Sequence, residues 1–144
     1  MTGARDPDWE ARVRDGFAAQ GLMRTFGAEI VALEPGLAVL AAPITPAVSQ
    51  HHGFAHAALA FALGDNAGGF AATSLLGPGE SVVTVEQKVN FLAPARGQRV
   101  VAEGRVERGG RRLSVVRAEV FAEGPEGRVA VALLLGTMAM MAAR

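Results

Sequence analysis

The chain is 144 residues long, half of them apolar, with 14 basic and 14 acidic side chains and a formal charge of zero; this suits one compact domain that buries its own core. The absence of cysteine excludes disulfides, thiolate metal sites and cysteine nucleophiles, leaving hydroxyls, carboxylates and activated water as reactive groups. Balanced, interspersed charge excludes a long-range field that would draw the whole protein to nucleic acid or anionic lipid, while a local phosphate site stays open.

The N-terminus is charged from the start and has no apolar h-region, so no secretory leader is expected and the cytoplasm is the expected location. Asp6-Pro7 reads as an N-cap with proline at the first helical position, opening a helix with Trp9, Val13 and Phe17 on one face. Residues 28–33 and 37–44 are short β-like runs joined by Glu34-Pro35-Gly36, which predicts a hairpin with a tight turn. Residues 54–76 contain one formally charged side chain, Asp65, near their middle. A membrane span would be long enough, but a carboxylate at mid-depth, several glycines and neutral flanks favour a buried core helix from about residue 55 to 76. Residues 81–92, 98–107, 112–123 and 128–141 read as four strands with short turns between them, hence an antiparallel meander. Val82, Thr84, Glu86 and Lys88 alternate with Val83, Val85, Gln87 and Val89, and Val100, Ala102, Gly104 and Val106 with their neighbours.

Only the long helix is apolar enough all round to be enclosed, so the expected class is α+β. An antiparallel sheet wraps around a long central helix, with an additional N-terminal helix. Residues 1–144 form one domain, 1–25 its N-terminal helical segment and 26–144 its core.

Asp is a poor helix former and is seldom buried without a partner, so Asp65 costs stability unless something compensates. Two readings stand side by side for it: a functional carboxylate, or a helix break at Gly64-Asp65-Asn66 with Asp65 capping a second helix. Upstream, residues 49–56 gather Ser49, Gln50, His51, His52 and His56 where a helix N-terminus offers unpaired N–H donors, groups that suit an oxyanion. For His51 and His52 ordinary loop polarity is the favoured reading, and no metal site is expected because no carboxylate sits at ligand spacing.

Gln50-x-x-Gly53-x-x-His56, followed nine residues later by Asp65-Asn66-Ala67, resembles the signature of PaaI-like (phenylacetate-degradation type) hotdog-fold acyl-CoA thioesterases. In that family the first motif is commonly Asn-x-x-Gly-x-x-His-Gly-Gly. The run from Thr84 to Ala95, containing Asn90-Phe91-Leu92-Ala93-Pro94-Ala95, resembles the family's strand motif, and Gly110-Arg111-Arg112-Leu113 its turn motif; the likeness spans roughly residues 26–141. It implies a hotdog fold and hydrolysis of aryl or medium-chain acyl-CoA thioesters to acid and CoA. Gln50 would position the thioester or the lytic water, the Ala57 N–H would hold the oxyanion, and Asp65 would act as general base or nucleophile, with Thr84 orienting water or Asp65. Gly53 and His56 belong to the same motif. Arg96, Gly110, Arg111 and Arg112, with Asn90, Phe91 and Pro94 shaping the rim, would receive coenzyme A, whose phosphates suit arginine forks. No cofactor is implied, since coenzyme A belongs to the substrate.

Two departures from the family pattern stand out. Gln50 keeps an amide on a longer arm than the usual Asn, and Ala57-Ala58 replaces Gly-Gly, preserving the N–H while adding two methyls beside the thioester. A MaoC-like hydratase is the first alternative, but neither the proline nor the histidine of its Gly-Asp-x-Asn-Pro-x-x-x-His pattern follows Asp65. The second is a noncatalytic acyl-CoA binding protein in which Asp65 braces an interface. A homodimer or dimer of dimers is expected, with active sites at the subunit interface. Glycine and alanine along the helix would permit close approach, and the apolar last strand, 129–141, would need cover.

Overall fold

A computed structural model describes residues 3–142; the ends of the predicted domain, 1–2 and 143–144, lie outside the described residues. Helices α1 (Trp9–Ala19) and α2 (Gly21–Phe26) lead into a hairpin of β1 (Glu29–Glu34) and β2 (Leu37–Pro43), turned at Gly36 with φ 82°. A short 3-10 turn, Pro46–Val48, precedes α3 (Ala57–Thr73), and β3 (Ser81–Phe91), β4 (Arg99–Gly109), β5 (Leu113–Gly124) and β6 (Gly127–Met141) follow. The six strands form one antiparallel sheet in the order β1-β2-β4-β5-β6-β3. The sheet wraps around α3, which contacts β2, β3, β4, β5 and β6.

Helix α3 runs unbroken through Gly64-Asp65-Asn66, which removes the reading of Asp65 as a break between two helices. Its inner face, including Leu59, Leu63, Ala67 and Ala71, is almost fully buried against inward strand residues such as Leu40, Val100, Leu134 and Met138. Each enclosed leucine contributes roughly 2–3 kcal/mol relative to an exposed one. Close approach is built into the contact at Gly104 of β4, where a Cβ would lie 2.2 Å from the Ala67 carbonyl carbon. Gly64 and Gly68 likewise admit Leu134 and Val116, so these two glycines of α3 serve contact with the chain's own sheet.

Three further expectations are corrected. The last four strands are not a meander: β4 sits beside β2, and β3 lies at the far edge against β6. Residues 92–98 therefore cross the end of the sheet. Their extended reach of about 23 Å exceeds the roughly 14 Å spanned by three interstrand spacings, so a short connection suffices. Strand β6 is internal and its inner face is covered by α3; the edge strands of the sheet are β1 and β3, and in β3 Val83 and Val85 are about half exposed. A bulge between Thr84 and Glu86 also reverses the alternation along β3, so that Thr84 and Gln87 both face α3.

The N-terminal helix starts at Trp9, two residues later than Asp6-Pro7 predicted. Asp6 instead accepts from the Asp8 N–H in a turn and lies, 7% exposed, 3.4 Å from the Arg12 guanidinium. Arg12 donates to the carbonyls of Thr73 and Leu76, capping the C-terminus of α3 where a cation is favoured. Val13 and Met23 are buried beneath these helices, and Phe17 packs at 6.1 Å on Phe70 of α3.

Candidate active site

The loop before α3 is fixed by its backbone. Gly53 N–H donates to Gln50 O and closes a turn with His51 and His52 at its tip, and Gly53 has φ 85°, a conformation that favours glycine. The Gln50 side-chain oxygen accepts from the His52 N–H, so its amide is folded into this turn. His56 N–H bonds Val48 O at 2.8 Å, and Ala55 N–H bonds Ala95 O at 3.1 Å, tying the loop to the β3–β4 crossover.

His56 is the N-cap of α3, its Nδ1 accepting from the Ala58 N–H at 2.9 Å. An accepting Nδ1 requires the other ring nitrogen to carry the proton, and such a cap is worth about 1 kcal/mol. Leu59 N–H is taken by His56 O, whereas the Ala57 N–H, at the first helical position, has no acceptor among the described residues. No acidic side chain occupies the first turn, so the positive end of the helix dipole is not neutralised by the protein there. Ala57 lines a cleft of about 360 Å³ whose walls also include Gln50, Phe54, Phe91 and Pro94.

Asp65 lies eight residues further on, about 12 Å along the helix and roughly 80° around it. It is half-buried between α3 and β3. Its Oδ1 accepts from Thr84 Oγ1 at 2.8 Å and from Gln87 Nε2 at 3.1 Å; Oδ2 accepts no hydrogen bond among the described residues. Asp65 borders a second cavity, of about 180 Å³, lined also by Gln20, Asn66, Phe70, Val82 and Met138. Ala57 and Asp65 thus line two separate cavities. Both the Gln87 contact and the approach of Gln20, from the α1–α2 junction, escape sequence reasoning, because one depends on a bulge and the other on a tertiary contact.

The residues expected to receive coenzyme A also fall into two groups. Asn90, Phe91, Pro94 and Arg96 sit where β3 ends, all exposed, with the Arg96 guanidinium 4.8 Å from the Phe54 ring centre. Gly110, Arg111 and Arg112 sit in the β4–β5 turn at the other end of the sheet, where Arg112 O accepts from Met140 N–H and β3 begins. The length of β3, roughly 33 Å, separates them. Among the described residues Arg96, Arg111 and Arg112 have no carboxylate partner, while Arg99 is paired with Glu123 at 2.7 Å. Also among the described residues, no group of three or more His, Asp or Glu side chains could hold a metal ion, and no helix is long and apolar enough to cross a membrane.

A six-stranded antiparallel sheet wrapped on one long helix is a hotdog fold. The chain belongs to the thioesterase superfamily, whose family model matches residues 52–128. A thioesterase family protein of Silicibacter pomeroyi superposes with a TM-score of 0.90 at 40% identity, covering 92% of this chain and 98% of that one. The 1,4-dihydroxy-2-naphthoyl-CoA hydrolase of Listeria monocytogenes is 34% identical over 82 residues, 57% of this chain and 67% of its own length. The PaaI protein from the phenylacetic acid degradation operon of E. coli shares the fold at a TM-score of 0.84 and 20% identity, covering 97% of this chain and 98% of that one. The expected PaaI-like hotdog fold is therefore the observed one, and the chain is a thioester hydrolase.

Proposed function

We propose that the protein hydrolyses aryl or medium-chain acyl-CoA thioesters to the free acid and CoA, at sites each built from two subunits. The observation that carries this reading is the separation of Ala57 from Asp65: one carbonyl cannot meet both groups within a single chain. The free edge of β3 supplies the remedy, since an unpaired strand of 11 residues is a template for a second copy. Antiparallel pairing about a two-fold axis near Glu86 would set the first half of β3, beside Asp65, against the second half of the partner's strand, beside Ala57 of the partner subunit. The same operation would bring Arg111 and Arg112 toward Arg96 of the partner subunit, assembling one cationic rim for the CoA phosphates.

In such a site the Ala57 N–H would hold the thioester oxygen as it becomes an oxyanion, with Gln50 positioning the thioester or the water. Acting as a base, Asp65 takes a proton from water as the water oxygen bonds to the carbonyl carbon. Collapse of the oxyanion breaks the C–S bond, and the proton passes to the departing sulfur. Acting as a nucleophile, Asp65 would instead form an anhydride, releasing CoA, that water then opens. No cofactor enters either route, and the cytoplasm is the proposed location.

A panel of aryl, short-chain and medium-chain acyl-CoA thioesters with free-thiol detection tests this reading. Thiol release that is lost in Asp65→Asn is expected; CoA binding without release would make the protein a binding module instead.

A further inference from the structure

Gln87 was not expected at the site, and its surroundings are unusual for a packing residue. On a regular strand Thr84 and Gln87, three positions apart, would face opposite sides. The bulge between Thr84 and Glu86 turns both toward α3, and both donate to the same oxygen, Asp65 Oδ1. The other end of the Gln87 amide is costly to keep: Oε1 is buried and has no hydrogen-bond partner among the described residues. Space for the amide exists only because its partner across the ladder is Gly136 of β6, where a Cβ would lie 1.8 Å from Oε1 and 2.5 Å from Cδ. A methionine would fill the same volume with no unsatisfied acceptor, so shape alone does not account for glutamine.

We propose that Gln87 is a positioning residue for the Asp65 carboxylate. Together with Thr84 it pins Oδ1, fixes the plane of the carboxylate, and leaves Oδ2 as the oxygen that meets water or the thioester carbonyl. This inference rests on the proposed role of Asp65.

A kinetic cycle separates the two. Gln87→Met in the wild-type background should lower kcat about tenfold or more, the loss expected when a hydrogen bond to a charged group is removed, with KM changed by less than about threefold. In the Asp65→Asn background the same substitution should leave the residual kcat unchanged, because a residue acting only through the Asp65 carboxylate then orients a side chain with no base or nucleophile to offer. Gln87→Asn, which keeps an amide but withdraws it by one methylene, should give the same loss and serves where the methionine variant melts early. Wild-type kcat in both Gln87 variants, or an equal fold-loss in both backgrounds, would overturn the positioning role while leaving Asp65 in place. Wild-type turnover in Asp65→Asn alone would remove the Asp65 reading and this inference with it.

Discussion

Asp65→Asn should lower kcat for thioester hydrolysis by about 10²- to 10⁴-fold, the range that a positioned acid or base contributes. The substitution is chosen for its geometry. Asparagine keeps an oxygen where Oδ1 accepts from Thr84 at 2.8 Å and Gln87 at 3.1 Å, and puts an amide nitrogen where Oδ2 accepts nothing from the described residues. Both hydrogen bonds survive, the side chain keeps its volume, and α3 has no reason to shift. The melting temperature should consequently stay within a few degrees of wild type, so that lost turnover reports on chemistry and not on unfolding. Saturating thiol-release kinetics beside a thermal melt make the comparison; near-normal kcat would sink the assignment of Asp65.

Ala57→Pro should lower kcat by about 10²- to 10³-fold, the cost of deleting one oxyanion donor. Ala57 is the first residue of α3, the helical position at which proline is tolerated best, since the N–H it lacks has no partner within the helix. His56 ahead of it has φ −64° and ψ 142°, the extended conformation that a residue before proline prefers. Ala57 is exposed, so the ring meets open space, and the His56 cap on Ala58 does not involve the deleted hydrogen. Stability should therefore hold or rise slightly while turnover falls. Ala57→Gly, which keeps the N–H, should retain most of the activity. Wild-type kcat in the proline variant, read in the same thiol-release assay, would remove the backbone donor from the mechanism.

Much of this architecture is legible in the residue pattern because it is local. The apolar run holding Asp65, the Pro35-Gly36 turn and the Gly-rich breaks between later strands each announce an element within a window of a few residues. Pairing order is not local. Nothing within 81–109 says that β3 leaves β4 for β6, because that choice depends on how the sheet closes around α3. The bulge in β3 is equally silent, since one inserted residue changes the phase of a strand without changing its composition, and for that reason regular alternation sets Gln87 with Val83, Val85 and Val89, on the face opposite Thr84. Asp6 shows the opposite failure. Its capping signal is genuine, yet Arg12 one turn into the helix draws the carboxylate into an ion pair, so the helix begins later than the signal implies. Asp65 itself is conspicuous in the sequence, but its distance from Ala57 becomes meaningful only once α3 is known to be unbroken.

If each site takes Asp65 from one subunit and Ala57 from the other, two inactive variants should repair one another. Asp65→Asn and Ala57→Pro, unfolded together, refolded at equal concentration and allowed to exchange, form mixed dimers in about half of all pairings. Each mixed dimer holds one site with an intact Asp65 facing an intact Ala57 and one site lacking both, so about a quarter of all sites are restored. Thiol release from the mixture should rise from near zero to about a quarter of the wild-type rate. A mixture no more active than the two variants assayed separately, with mixed dimers shown to have formed, would contradict a site shared between chains.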